Sequence, residues 1–273
     1  MIVLRNLKSI VVAGTLLSLM IGGMVVFFEE SLIYFPTKYP IGNWNTSNRK
    51  PCGIEDVYFE AADGVKTHGW FLERPKSDRV LVYFHGNAGS IADRYEWGCQ
   101  LVQSGASVLM VEYRGYGRSE GRPGEAGFYE DAEAVWTWLL EKRGYLAHQI
   151  VLYGKSLGGA VAAELALRHP PGALILQSTF TSIPEMAKRV VPFVPKFLIR
   201  TRFDTQKKVP NIACPILVIH SEADEIVPFA MGERLANAAP NLKEFMRFSS
   251  YGHNDLIWNE AASIIAGIRR LIE

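Results

Sequence analysis

Apolar positions along this chain form two kinds of run. The first is one uncharged stretch, Ser9–Phe28 (SIVVAGTLLSLMIGGMVVFF), with Arg5 and Lys8 before it and Glu29 and Glu30 after it. As a helix rising about 1.5 Å per residue it would reach roughly 30 Å, the thickness of a bilayer's hydrocarbon core. It has no polar face of the kind a surface helix of a folded domain shows. It is longer than the apolar region of a cleaved signal and ends without a small-residue cleavage site. The pattern predicts one uncleaved transmembrane anchor within residues 1–30. Its basic flank predicts a cytoplasmic N-terminus, with the rest of the chain on the extracytoplasmic or lumenal side.

The second kind of run starts near residue 55 and repeats. Short stretches rich in β-branched and aromatic residues predict strands at Asp56–Ala61, Thr67–Glu73, Val80–Phe84, Ser107–Glu112, Ile150–Tyr153, Ala173–Gln177, Ile216–Ile219 and Glu244–Phe248. Between most of them apolar residues recur at helical spacing, near Ala92–Gln103, Gly127–Lys142, Leu157–Arg168, Met231–Ala238 and Glu260–Leu271. The Asp63-Gly64 turn makes the first two strands a hairpin. The remaining alternation predicts an α/β fold, a mostly parallel twisted sheet with helices on both faces, in one domain over residues 55–273. Residues 31–54, with Pro36, Pro40, Pro51 and the polar cluster Asn43–Lys50, read as a linker or irregular cap. Asn45-Thr46-Ser47 in it is a glycosylation sequon only on a eukaryotic secretory route.

Composition narrows this picture. A chain of 273 residues with 48% hydrophobic and 21% charged positions can bury a large core, which excludes disorder and a disulfide scaffold. Its 29 basic and 28 acidic residues give no reason to expect a nucleic acid partner. The three cysteines, Cys52, Cys99 and Cys214, form no CxxC pair. A core of this size needs no staple, so no bridge is expected, although an oxidising compartment would permit one.

The sharpest chemical signal is Gly154-Lys155-Ser156-Leu157-Gly158, set between a predicted strand and a predicted apolar helix. That is the context of a G-x-S-x-G nucleophile elbow, whose crowded turn needs small residues two before and two after the serine. The phosphate-loop reading fails because position 149 is Gln149 where that loop needs glycine, and Gly115-x-Gly117 lacks the third dinucleotide glycine at Glu120. An activated serine needs a base and an acid that orients it. In elbow enzymes they follow in the order acid, then histidine. His253, in the late loop Tyr251–Asp255, is the expected base. His169 ends a helix, and His220 ends a strand before any candidate acid. Asp224, heading the turn after the strand Ile216–Ile219, is the expected acid. Glu222 and Glu225 read as solvated loop charges, Asp204 lies too early, and Asp255 reads as a helix cap. The oxyanion donors expected are the backbone N–H of Leu157 and that of Asn87, in the loop His85-Gly86-Asn87-Ala88-Gly89-Ser90. His85 reads as a brace of that loop.

These residues together resemble the α/β-hydrolase superfamily, and within it the membrane-anchored abhydrolase-domain serine hydrolases near the protein depalmitoylases. The likeness runs over about residues 28–273. It rests on LIYFP at 32–36, HGNAGS at 85–90, YRGYGRSEG at 113–121, GKSLGG at 154–159, the acid turn at 224–228 and GHND at 252–255. It implies Ser156, Asp224 and His253 as the triad, and hydrolysis of an acyl ester, thioester or amide through an acyl-enzyme, with no metal or organic cofactor. Ser221 departs from the family, which usually has glycine after the strand histidine. A lid is expected at about residues 180–212, where residues 185–208 hold seven Lys or Arg against Glu185 and Asp204. Interleaved with Val190–Pro195 and Phe197–Ile199, these charges suit an anionic membrane surface as well as an ordinary lid. The reading is a membrane-anchored esterase or thioesterase acting on acyl substrates, some of them membrane-held. Its rivals are a peptidase with the same triad and a non-catalytic membrane-tethered scaffold.

Overall fold

Eight strands build one twisted sheet: β1 (Glu55–Glu60), β2 (Lys66–Leu72), β3 (Val80–Phe84), β4 (Ser107–Val111), β5 (Ile150–Lys155), β6 (Ala173–Gln177), β7 (Ile216–Ser221) and β8 (Leu242–Phe248). Their order across the sheet is β8-β7-β6-β5-β3-β4-β2-β1. β2 alone runs against the direction of the other seven strands. The structure, a computed structural model, describes residues 22–23, 27–44 and 52–273. Most of the expected anchor Ser9–Phe28 and the cluster 45–50 lie outside the described residues. Among the described residues no helix is long and apolar enough to cross a membrane.

The central strands are continuous apolar runs because both of their faces are covered. In β3, Val80, Val82 and Phe84 belong to one core layer, and Leu81 and Tyr83 to the other. The first layer packs beneath α2 (Glu125–Glu141) and α3 (Leu157–Arg168). The second packs beneath α1 (Tyr95–Leu101) and α6 (Ala261–Ile272). The predicted helix over 92–103 divides into a tight turn, the short α1 and a second tight turn. The stretch 180–212, expected as a lid, contains a helix that the hydrophobic pattern did not announce, α4 (Ile183–Val190). It is capped by Ser182, whose hydroxyl accepts the Glu185 N–H. The helix α5 (Phe229–Ala238) follows β7.

The described part of the 31–54 segment is built into the domain as a cap. Tyr34 and Trp44 are buried in the two core layers. Phe35 and Pro36 pair in parallel with Ala88 and Gly89, and Lys38 bridges to Gly117. Cys52 is joined to Cys99 of α1 by a disulfide, with Cα atoms 5.8 Å apart. This overturns the expectation of no bridge. The argument from core size leaves out that the fold carries Cys52 onto α1, where it packs against the second core layer beside Cys99. A bridge closing a 47-residue separation removes chain entropy from the unfolded state. We expect the Cys52→Ser/Cys99→Ser variant to lose about 2–4 kcal/mol of unfolding free energy in a denaturant titration, without loss of the sheet's circular dichroism.

Candidate active site

The turn from β5 into α3 holds Ser156 at φ +54°, a left-handed backbone that a serine adopts only under constraint. The constraint is close packing. A Cβ on Gly158 would overlap the Phe84 carbonyl oxygen, and one on Gly154 would overlap that of Gly158. Ser156 N–H donates to the Gln177 carbonyl at 2.8 Å, which ties the turn to β6. The hydroxyl therefore stands at the N-terminus of a 12-residue helix, at the C-terminal edge of the sheet.

Asp224 and His253 meet across two loops. His253 Nδ1 lies 2.8 Å from Asp224 Oδ2 and 3.1 Å from Oδ1. Oδ1 also accepts the Val227 N–H at 2.7 Å and the Ile226 N–H at 3.0 Å. Burial pushes the Asp224 carboxyl up, but hydrogen bonds from His220 and His253, the charge of His253 and the Val227 amide outweigh it. They hold the group well below the usual carboxylate range. Asp224 is therefore ionised at neutral pH and fixes the proton of His253 on Nδ1. Among the described residues, Ser156 Oγ and His253 make no hydrogen bond to each other. Such bonds are often long until substrate arrives. Ile226 and Val227 of the acid turn line the same cavity as Ser156.

The loop after β3 brings Asn87 to that cavity. Its carbonyl accepts from Phe35 N–H and Tyr116 Oη–H, and its carboxamide donates to the Ile33 carbonyl at 2.8 Å. Among the described residues, the Asn87 and Leu157 amides have no protein acceptor. The cavity measures about 440 Å³, and its wall is mostly apolar, including Ile33, Phe180, Met186, Val191 and Ile199. Glu29 is the only charged residue among its described lining residues.

The remaining sequence candidates have other partners. His169 contacts Glu133 at 2.7 Å and stacks on Trp136. His220 Nε2 donates to the Val227 carbonyl at 2.9 Å, beneath Asp224. Asp204 pairs with Lys207. Asp255 holds the N-cap position of Leu256–Asn259 without a side-chain cap bond. His85 braces its loop as expected, with Nδ1 2.7 Å from the Gly86 carbonyl.

Three tethers of the histidine loop escaped the sequence reading. Glu225, read as a solvated charge, accepts the His253 N–H at 3.0 Å. Ser221, the departure from the family pattern, donates its hydroxyl hydrogen to the Ser250 and Tyr251 carbonyls, which share it. Lys155 Nζ donates to Asn254 Oδ1 at 3.3 Å. Burial and the nearby Arg94 pull the Lys155 amine down to about 8. Lys155 occupies a free position of the elbow motif, so the motif carries no signal for its burial or its bond to Asn254. Residues 200–203 have their own clamps: Glu29 accepts the Arg200 and Thr201 amides, and Glu125 accepts those of Arg202 and Phe203.

The comparisons with known proteins agree with this architecture. The family model for the alpha/beta hydrolase fold matches residues 79–209. The alpha/beta hydrolase domain-containing protein WAV2 of Arabidopsis thaliana is 35% identical over 275 residues, covering 90% of this chain and 86% of that protein. The lysophosphatidylserine lipase ABHD12 of Rattus norvegicus is 34% identical over 76% of this chain, which spans 55% of that protein. The Pyrococcus furiosus esterase Pf2001 shares the fold with a TM-score of 0.72 at 20% identity, over 88% of this chain and 97% of that one. The chain belongs to the α/β-hydrolase family.

Proposed function

We propose that the protein is a membrane-anchored serine hydrolase that cleaves acyl esters, and thioesters by the same route, through Ser156, His253 and Asp224. The observation that carries this reading is the elbow serine at φ +54°, opening on an apolar cavity that also meets the acid turn and the Asn87 loop. In the reaction Ser156 Oγ attacks the acyl carbonyl carbon while its proton passes to His253 Nε2. The Asn87 and Leu157 amides receive the oxyanion, each worth roughly 3–4 kcal/mol in the transition state. Collapse expels the alcohol or thiol with the proton from His253 and leaves an acyl-Ser156 ester. His253 then deprotonates a water that attacks this ester, releasing the carboxylic acid and restoring the serine. The apolar cavity suits an acyl chain, and the lysophosphatidylserine lipase among the relatives supports an acyl ester with a polar head.

Membrane attachment has three supports. The run Ser9–Phe28 has the length and composition of an anchor. The lid surface presents Val190, Phe193 and Phe197, the last 82% exposed, beside Lys188, Arg189 and Lys196. Apolar and basic groups together suit an anionic bilayer. The Cys52–Cys99 bridge fits an oxidising, extracytoplasmic side.

We expect a fluorophosphonate probe to label the detergent-solubilised full chain, and Ser156→Ala and His253→Ala to abolish labelling; a folded parent that takes no label defeats the triad reading. Ser221→Ala should lower kcat about tenfold with KM little changed, since it frees the histidine loop without touching the cavity. Steady-state kinetics on a short soluble ester checks this. Phe193→Ser/Phe197→Ser should slow hydrolysis of a long-chain ester carried in anionic vesicles by about tenfold or more, while the soluble ester is turned over as by the parent.

A further inference from the structure

Behind the Asn87 loop lies a buried acid that the reaction above leaves unused. Glu112 directly follows β4 and has no solvent exposure. Its Oε1 lies 3.1 Å from His85 Nε2, and its Oε2 accepts the Ile91 N–H at 3.1 Å. His85 is equally buried, and its Nδ1 lies 2.7 Å from the Gly86 carbonyl oxygen. A chain of contacts thus runs from Ile91 through Glu112 and His85 to Gly86, the residue before Asn87.

Donor and acceptor rules locate the proton. The Gly86 carbonyl can only accept, so His85 Nδ1 carries a hydrogen. In a neutral imidazole Nε2 then accepts, and the hydrogen between it and Glu112 belongs to the carboxyl. The ionic alternative, imidazolium and carboxylate, would strip both charges of water. Burial works against it from both sides. It pushes the Glu112 carboxyl up to about 8 despite the Ile91 amide, and drives His85 well below its ordinary range. The other titratable and charged groups facing the pair are His68 on β2, Asp93 and Arg94 on the turn after the loop, and Tyr113 and Tyr116. Each has its own partner: Asp56 for His68, the Ser90 amide for Asp93, the Ser90 and Ala88 carbonyls for Arg94, the His85 carbonyl for Tyr113 and the Asn87 carbonyl for Tyr116.

We propose that Glu112 is a positioning residue that holds the oxyanion loop by donating its carboxyl proton to His85, so that turnover falls when Glu112 ionises. The proposal rests on the reading of Asn87 N–H as an oxyanion donor. An ionised Glu112 cannot donate to Nε2. His85 must then move its proton to Nε2, leaving the Gly86 carbonyl without its donor, or the loop must shift. Either change moves the amide two residues on from His85. The group's range is raised, so the working form is present below about pH 8 and is lost as pH rises through it.

The test uses the full-length protein in detergent and a soluble butyrate ester across pH 6–10. Glu112→Gln is the decisive variant, because a carboxamide donates to Nε2, accepts from the Ile91 amide and does not titrate. We expect the parent to lose kcat on an alkaline limb near pH 8, and Glu112→Gln to stay within about threefold of the parent at pH 7 with that limb gone. Glu112→Leu should lower kcat by about a hundredfold with KM nearly unchanged; if it does not fold, the Gln variant still decides. A limb that persists in Glu112→Gln belongs to another group, such as Lys155, and overturns the proposal. So does a Gln variant that loses more than about tenfold of kcat at pH 7, or a parent profile with no alkaline limb. Ser156→Ala run in parallel separates the two failures. Turnover retained there defeats the reading of the site itself, whereas turnover lost there with an unmoved Glu112→Gln profile defeats only the role of Glu112.

Discussion

The backbone at Ser156 is the constraint from which the rest of the site follows. A left-handed serine costs about 1–3 kcal/mol, and it persists only where its surroundings over-determine it. Here β5 pairs with β3 on one side and β6 on the other, while α3 leaves the strand so abruptly that Gly158 sits against the Phe84 carbonyl. The same close approach fixes the distance between the elbow and the end of β3, where the Asn87 loop begins. Ser156 and the Asn87 loop are thus positioned by one packing event. Asp224 and His253 arrive separately, on loops that leave β7 and β8 at the same edge of the sheet.

That division explains which parts were legible in the sequence. Val80–Phe84, Ala173–Gln177 and Leu157–Arg168 appear with the bounds that their residues imply, because unbroken apolar or helical periodicity reports burial directly. Ser156, Asp224 and His253 are proposed from a local mark, the elbow and the chain order of its partners, and the fold sets Asp224 2.8 Å from His253 and Ser156 on a strained turn. The tethers leave none. Glu225 and Glu222 look alike as loop acids, and only the fold turns Glu225 onto the His253 amide. Ser221 looks like a defect until its hydroxyl is seen against carbonyls 29 and 30 residues away. The helix α4 is short and interrupted by charge, and its register depends on the core it covers. The Cys52–Cys99 bridge likewise depends on a meeting of distant segments.

The segment 200–203 is held in the same non-local way. Four consecutive amides, from Arg200 to Phe203, are received by two carboxylates from different elements, Glu29 beside the apolar N-terminal run and Glu125 at the start of α2. Leu32 and Ile33, from the turn that carries Glu29, also line the cavity. The segment that joins the apolar run to the domain is therefore part of the cavity's wall. Any displacement of that segment would be felt at residues 200–201 through Glu29.

Pairing with a carboxylate does not by itself mark a catalytic histidine in this molecule. Five of the six histidines, His68, His85, His169, His220 and His253, have an acid within ion-pair distance. What differs is the use of the second ring nitrogen and the surroundings of the first. His85 spends both nitrogens inside the fold, on Gly86 and Glu112. His220 gives Nε2 to a carbonyl, and its Nδ1 faces Gly232 in a space too small for a methyl group. His169, at the end of α3, and His68, buried on β2, give Nε2 to Glu133 and Asp56, and neither lines the cavity. His253 alone has its acid on Nδ1, that acid held ionised by amides and a second histidine, and its Nε2 without a protein partner among the described residues. A general base needs one nitrogen fixed and the other free to accept a proton. By that criterion His253 alone of the five has the geometry a base requires, the other four pairs brace the fold, and the Glu112–His85 pair is the brace behind the Asn87 loop.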